Sequence, residues 1–447
     1  MKPAVRKFNS VLIANRGEVA VRVIRACREL GVRAIAVYSD ADEGALHTRL
    51  ADEAHRLGAA PARESYLNVA KIIAVAKASG AEAVHPGYGL LSENAEFAQA
   101  VIDAGLVFIG PAPAVIAQMG DKVAAREAAR RSGVPLLPGS SGTVADASVA
   151  TESASRIGFP LVVKACFGGG GRGMRIVHSG GELAAALEQA ARESNAAFGR
   201  ADVYLERYVS KGRHVEVQVL GDSHGNVVHL GDRDCSVQRR HQKMIEEAPA
   251  PALPEALRTA IATAAVRLAK DVGYFSAGTV EFLVDVAARE FYFLEMNTRL
   301  QVEHGVTEMV TGIDIVASQL RIAAGEPLGF SQQQVQIVGH AMQARIAAED
   351  PWQGFQPQPG KIDKLQLPMG PWLRLDFGVE SGDSIASYYD SMFGKLQAQG
   401  QDRDSARLRL RTALDALKVV GLPTTAPYLR EVLSQPDFIA VKHDTGS

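Results

Sequence analysis

The chain has 447 residues, 47% of them hydrophobic and 22% charged, which excludes a disordered or low-complexity protein and leaves room for two or three domains with well-buried cores. A formal net charge of −2 gives no bulk pull toward nucleic acid or an anionic membrane, so neither partner is expected. Three cysteines without metal-ligand spacing, an opening MKPAVRKFNS without a long apolar stretch, and no apolar run of membrane-spanning length predict a reducing, cytoplasmic setting.

Residues 9–110 alternate short apolar strands with amphipathic helical patterns. Strands are predicted at 10–14, 33–38, 81–84 and 106–109, and helices at 18–30, 66–78 and 93–104. Such alternation predicts a doubly wound parallel sheet. No GxGxxG follows the first strand, so a dinucleotide site lacks its phosphate loop. The segment 85–94, HPGYGLLSEN, follows a strand end, where ligands gather in open α/β sheets. Read instead as a plain turn, it needs only Ser92 to cap the next helix.

A charged helix at 121–133 leads into a stretch of small and polar residues, 138–155. A smaller α/β unit follows, with strands at 160–165, 174–177 and 203–208 and a helix at 181–194. Strands return at 214–220 and 226–230, and a long helix covers 254–272. Beyond Thr311 come a helix to Ala324, a strand-rich region to about Leu396, and closing helices at 404–419 and 425–434.

Several stretches carry chemistry. The loop 168–174, GGGGRGM, lacks the GK[ST] of a P-loop and opens no helix. Four consecutive glycines cost backbone entropy unless the chain approaches something closely, and their N–H groups can wrap a polyphosphate as a lid; a merely flexible loop is the alternative. Lys164, closing an apolar strand, and Lys122 are natural phosphate partners, although a lone lysine is ordinarily a solvated charge. Glu206, on a strand, could accept a hydrogen bond from an amino or ribose hydroxyl group. The run 232–243, DRDCSVQRRHQK, carries four cations besides His241 and reads either as an anion site or as a solvated loop. No HxxxH or HxxE spacing makes its histidine a metal ligand.

The segment 290–304, EFYFLEMNTRLQVEH, organises the rest. After an apolar run, Glu295, Asn297, Arg299, Gln301 and Glu303 fall on every second residue, which in an extended chain puts them on one face. The wet face of an amphipathic strand is the plain alternative. Upstream, 277–285 is a second strand with a lone carboxylate, Glu281, so a hairpin is expected. If Glu281 faces Glu295, Asp285 meets Phe291 across a five-residue loop. Carboxylates directly opposed about 5 Å apart repel, and a divalent cation with oxygen ligands reverses that sign. Glu281 and Glu295, with Asn297 one step on, are therefore read as a magnesium site. Residues 295–303 would span roughly 26 Å if straight, too long for one small-molecule site, so the segment must bend or serve successive parts of a substrate.

In this order, HPGYGLLSEN, GGGGRGM, RDCSVQRRHQK, EEAPAP and EFYFLEMNTRLQVEH resemble the biotin carboxylase family, over about residues 9–434. The resemblance implies an N-terminal doubly wound parallel sheet, an ATP-grasp central region with a small mobile lid, and a strand-rich C-terminal domain. The boundaries expected are 1–120, 121–330 (lid about 136–209) and 331–447. It implies an ATP-dependent ligase that carboxylates the biotin of a carrier protein with bicarbonate, through carboxyphosphate. This is the first half-reaction of an acyl-CoA carboxylase, with acetyl-CoA and fatty acid synthesis as the leading expectation. Lys122, Lys164, Gly169, Gly170, Gly171, Met174, Glu206, His214, Gln238, His241 and Leu283 would bind ATP. Glu281, Glu295 and Asn297 would hold Mg²⁺ or Mn²⁺. Lys243, Arg299, Gln301 and the backbone of Val302 would hold bicarbonate, Glu303 would be its base, and Arg345 would stabilise the enolate-like oxygen of biotin. Tyr88 and Asp390 match positions near the biotin pocket.

No Met-Lys-Met biotinyl site or carboxyltransferase region is present, so a free-standing subunit with a separate biotinylated carrier and carboxyltransferase is expected. A homodimer is expected too, with Arg25 and Glu29 at its interface. The chain departs from the family pattern at Gly305 and Ser387, each usually Pro, at Gln343 and Ala347, usually a carboxylate and an amide, and at Cys166-Phe167 before the glycine loop. These predict altered biotin-side geometry, with Gly305 loosening the backbone two residues from Glu303. The rival reading is a nucleotide-binding regulatory or scaffolding paralogue with little turnover. An ATP-grasp ligase joining a carboxylate to an amine fits less well, because Glu303 after Arg299 and Gln301 suits bicarbonate.

Overall fold

The computed structural model describes residues 5, 7–140, 142–144, 147–166, 174–198 and 200–447; the glycine loop, with Gly169, Gly170 and Gly171, lies outside them. Strand β1 (Ser10–Ile13) is buried on both faces, which requires cover on both sides of its sheet. It lies at the centre of a parallel sheet of order β3-β2-β1-β4-β5, with β2 (Arg33–Ser39), β3 (Glu53–Gly58), β4 (Ala83–His85) and β5 (Val107–Phe108). Val11 and Ile13 pack on one face with helix Gly17–Glu29, and Leu12 packs on the other with Ile72 and Phe97. Strand β3, EAHRLG, is an edge strand without an apolar run, so hydrophobic periodicity does not reveal it.

The part of the chain expected to form the lid, hereafter the lid, is a small antiparallel sheet of order β7-β6-β8, formed by β6 (Leu161–Ala165), β7 (Arg175–Val177) and β8 (Val203–Arg207). Leu161, Val163, Leu183 and Leu205 give it a core of its own beneath helices Ala147–Ile157 and Gly180–Phe198.

The largest sheet is antiparallel throughout. It runs β13-β12-β9-β10-β11-β14, then strand Met392–Gly400 and strand Leu373–Phe377 at the far edge. Its members are β9 (Arg213–Gly221), β10 (Val227–Arg239), β11 (Gln242–Ala248), β12 (Ser276–Asp285), β13 (Glu290–Asn297) and β14 (His340–Ala347). Hydrogen bonding between β11 and β14 carries the sheet across residue 330 without interruption. Along β9 the period of two is strict. Val215, Val217 and Val219 face the core under helix Glu255–Asp271, so His214, Glu216 and Gln218 face the other way.

Two local expectations are corrected. The run 232–243 is not a loop: it is the end of β10 and the start of β11, turning at Arg240 and His241, whose φ values are +49° and +67°. Asp232, Arg233, Asp234 and Ser236 are buried there, and a strand of paired buried charges does not look like a strand in sequence. The closing helix expected to 419 ends at Ala416, because Lys418–Val420 becomes a strand on Lys364–Gln366. Among the described residues no helix is long and apolar enough to cross a membrane.

Candidate active site

A cleft of about 1500 Å³ lies among the parallel sheet, the lid and the large sheet. Residues 15–19 and 88–90, just beyond the C-terminal ends of β1 and β4, form one wall. Lys122, Lys164, Met174 and Glu206 line the lid end, with His214, Gln238, His241 and Leu283 beside them. Glu281, Glu295 and Asn297 line the floor, and Lys243, Arg299, Gln301, Val302, Arg345, Tyr88 and Asp390 line the opposite end. Glu303 is fully buried, directly beneath this end. The structure thus gathers every described candidate of the sequence into one place.

Lys243 ties the floor together. Its Nζ donates to Glu216 Oε2 at 2.5 Å, Glu303 Oε1 at 2.7 Å and Glu281 Oε1 at 2.9 Å, using all three ammonium hydrogens on three buried carboxylates. The sheet register explains why such a cation is needed. Glu295, Glu281, Glu216 and Arg233 stand side by side across β13, β12, β9 and β10, three like charges in a row. Adjacent like charges repel, and buried ions need partners. Arg233 Nε donates to Glu216 Oε1 at 2.6 Å, while its other nitrogens reach Gln218, Thr307 and Thr279. Glu303 Oε2 accepts from Arg345 Nη2 at 3.0 Å, and Arg345 Nε is held by Glu246, whose other oxygen accepts from Gln343 Nε2 at 3.0 Å.

Burial alone would raise the Glu303 carboxyl, but Lys243, Arg345 and Arg233 outweigh it and hold it well below the usual range. Glu281 is likewise held low, against burial, by Lys243 and His214. Burial, only partly offset by Lys243, raises Glu216. Lys243 itself is held well above an ordinary lysine, because the three carboxylates outweigh its desolvation.

The hairpin brings the proposed metal ligands together with one correction to its register. Glu281 does face Glu295, but a bulge follows, so Phe282 pairs with Phe293, Asp285 with Glu290, and the loop has four residues. Leu294 is the extra residue; the bulge keeps both Phe282 and Phe293 in the core while the carboxylates stay opposed. Glu281 Oε1 also accepts from Asn297 Nδ2 at 2.8 Å and Gln301 Nε2 at 3.2 Å, and Oε2 lies 3.0 Å from His214 Nε2. Glu295 opens onto the cleft solvent although the cleft walls surround it. Those walls and Glu281 opposite push it above the usual carboxylate range. Two opposed carboxylates and an amide oxygen, one carboxylate facing open cleft, fit a hard divalent cation that also takes phosphate oxygens. His214, Glu216 and Glu281 also place one potential ligand atom each within 4.8 Å of one another, with Glu216 paired to both Lys243 and Arg233.

Beyond Asn297 the segment leaves the sheet, as its length requires. Leu300 is buried in the core against helix Gly17–Glu29, and a turn at Val302 and Glu303 leads into helix His304–Thr311. Arg299 donates to Glu93 Oε2 at 2.8 Å, Asn297 Oδ1 at 2.8 Å and Gln301 Oε1 at 3.1 Å. The carbonyl of Val302 accepts from buried Lys395 at 2.9 Å, Lys395 pairs with Glu18 at 3.1 Å, and Tyr88 donates to Glu18. At the lid end, Glu206 is held by Lys164 at 2.6 Å and by Arg126.

Gly305 does not loosen the backbone beside Glu303. It lies inside helix His304–Thr311, and a Cβ there would fall 1.9 Å from Gln397 Oε1. The missing side chain makes room for Gln397, whose Nε2 donates to Asp376. Sequence reasoning missed Glu93, Arg126, Glu216, Arg233 and Glu246. Glu216 carried a usable signal, since it shares the polar face of β9 with His214; Arg233 and Glu246 lie in the runs 232–243 and EEAPAP, but nothing there marks them as the partners of Glu216 and Arg345.

A central domain of the ATP-grasp type between a parallel-sheet domain and a strand-rich domain defines the class, an ATP-dependent ligase. Three family models match successive parts of the chain: the biotin carboxylase N-terminal domain at 7–116, the carbamoyl-phosphate synthase L chain ATP binding domain at 121–331, and the biotin carboxylase C-terminal domain at 343–447. The chain belongs to the biotin carboxylase family. It is 50% identical to the biotin carboxylase of Nostoc sp. over 433 residues, 97% of each chain. It is 51% identical to the mitochondrial methylcrotonoyl-CoA carboxylase subunit alpha of Oryza sativa over 429 residues, 96% of this chain and 58% of that one. The crystal structure of Campylobacter jejuni biotin carboxylase superposes with a TM-score of 0.95 at 46% identity, covering 98% of both chains. The biotin carboxylase domain dimer of Hydrogenobacter thermophilus 2-oxoglutarate carboxylase, solved with MgADP, ADP and bicarbonate, gives 0.94 at 46% identity, covering 98% and 97%.

Lys243→Met leaves three buried carboxylates without their ammonium and is expected to cost about 3–5 kcal/mol. The carboxylates then have raised folded pKa values, so the loss grows as pH rises from 6 to 8.5; adding Glu216→Gln recovers part of it. Urea unfolding at several pH values checks this, and a pH-independent loss contradicts it. Gly305→Ala should cost about 1–3 kcal/mol by overpacking against Gln397. Thermal unfolding should find Gly305→Ala with Gln397→Ala less destabilised than the sum of the two single variants.

Proposed function

We propose that this chain is the biotin carboxylase component of a multisubunit carboxylase, using ATP, a divalent cation and bicarbonate to carboxylate the biotin of a separate carrier protein. The observation that carries the reading is the arrangement of Glu303 between Lys243 and Arg345, at the junction of the Glu281–Glu295 floor and the cationic end of the cleft. Lys122 and Lys164 would draw the phosphate chain toward the floor. Mg²⁺ or Mn²⁺ held by Glu281, Glu295 and Asn297 would neutralise phosphate oxygens. Lys243, Arg299 and Gln301 would then hold bicarbonate, a planar anion suited to charged and amide donors.

Glu303 as found is too strongly paired to be a base. Each anionic substrate group that takes over a donor of Lys243 or Arg345 removes the influence that holds Glu303 low, and burial then raises it. Substrate binding therefore arms the base. Glu303 would take the bicarbonate proton as an oxygen of that anion attacks the γ-phosphorus of ATP, giving carboxyphosphate and ADP. Carboxyphosphate would break down to CO2 and phosphate, and phosphate would take the proton from biotin N1. Arg345 would stabilise the resulting enolate-like oxygen, and the deprotonated N1 would attack the carbon of CO2 to give carboxybiotin.

The Gln343 departure supports turnover rather than a silent scaffold, because Gln343 still donates to the Glu246 that holds Arg345. The acceptor of the carboxyl group would be set by the partner carboxyltransferase. Acetyl-CoA, and with it fatty acid synthesis, is the reading proposed, against relatives that are methylcrotonoyl-CoA, pyruvate and 2-oxoglutarate carboxylases. A cytoplasmic homodimer with half-exposed Arg25 and nearby Glu29 at its interface completes it.

Purified protein should hydrolyse ATP only with bicarbonate present, and millimolar free biotin should stimulate it. ATP binding without such turnover would favour the regulatory paralogue. Glu303→Gln should lose turnover by at least about a hundredfold while ATP affinity stays near normal. Lost ATP binding in that variant would contradict the assignment of Glu303 as base.

A further inference from the structure

Arg126, on helix Lys122–Arg131, reaches the lid end of the cleft but has no part in the chemistry above. One of its terminal nitrogens donates to Glu206 Oε1 and the other to the carbonyl of Leu137 at 3.2 Å. The second oxygen of Glu206 accepts from Lys164 Nζ at 2.6 Å. Glu206 is only 2% exposed, so one buried carboxylate sits between two cations drawn from different elements. The chain gives Arg126 its path at Gly139, where a Cβ would lie 2.7 Å from the Leu205 carbonyl and 3.3 Å from the Arg126 guanidinium.

The charge balance of this trio decides what Lys164 can do. Paired with Lys164 alone, Glu206 would cancel one of the two lysine charges, Lys122 and Lys164, that would draw the phosphate chain. A shift of Lys164 toward phosphate would then strand a buried carboxylate, which is strongly unfavourable. With Arg126 in place, Glu206 stays neutralised whichever way Lys164 points. We propose that Arg126 is a positioning residue for nucleotide binding, which compensates Glu206 so that Lys164 keeps its charge for the phosphates. The inference rests on the reading of Lys164 as a phosphate ligand.

The test is calorimetric titration of ATP and of adenosine into the full chain and its Arg126→Met, Arg126→Lys, Glu206→Gln, Lys164→Met and Arg126→Met/Glu206→Gln variants. Arg126→Met should weaken ATP about tenfold and adenosine less than about twofold, because the effect acts through a phosphate-binding charge. Arg126→Lys should keep most of the ATP affinity, and adding Glu206→Gln to Arg126→Met should return ATP to within about threefold of Glu206→Gln alone. Equal weakening of ATP and adenosine, or no recovery in the double variant, overturns the proposal in favour of a structural or direct-contact role. If Lys164→Met weakens ATP but Arg126→Met does not, the proposal fails and the phosphate reading stands. If Lys164→Met leaves ATP unchanged, both fall.

Discussion

One ammonium group with three buried carboxylates around it sets the terms for the rest of this molecule. Glu216, Glu281 and Glu303 come from β9, β12 and the turn before helix His304–Thr311, and Lys243 comes from β11. None of them could be buried alone, since an isolated buried ion is far too costly. The large antiparallel sheet must therefore hold its register across β12, β9, β10 and β11 for the charges to meet. The same arrangement leaves the site responsive. Its donors are committed to carboxylates of the protein, which an incoming anion would replace in the proposed function.

The segment 290–304 turns this electrostatic floor into two neighbouring subsites. Its strand half is pinned by the β12–β13 bulge, which keeps Glu281 and Glu295 opposed. Its second half is pinned by Leu300, buried under the parallel-sheet domain, and by Glu93, which holds both Arg299 and the amide of Thr298. The cationic end of the cleft is thus built jointly by the N-terminal and central parts of the chain. Lys395 adds the C-terminal part by holding the Val302 carbonyl. Displacement of any one part would pull the cationic end away from the floor.

Much of this is legible in the sequence. The period of two that starts at Glu295 marks side chains that line the cleft as far as Gln301, and the repulsion between Glu281 and Glu295 is by itself reason to look for a cation. Strand–helix alternation correctly gave the parallel sheet. Failures fall where side chains are paired in space but not in sequence. The run 232–243 read equally as an anion site or a solvated loop, because the partners of its buried charges, Glu216, Arg213 and Arg258, come from elsewhere in the chain. The bulge at Leu294 moves the hairpin by one residue for the sake of core packing, which no alternation reports. Gly305 suggested flexibility, but the space it leaves is filled by Gln397, from a distant strand of the C-terminal part.

The central claim is that bicarbonate, activated by Glu303, attacks the γ-phosphorus of ATP on the floor built around Lys243. Turnover with ¹⁸O-labelled bicarbonate, free biotin and unlabelled ATP, followed by mass analysis of the phosphate released, tests it directly. The account predicts phosphate carrying an oxygen that came from bicarbonate. Phosphate whose new oxygen comes from water would contradict it.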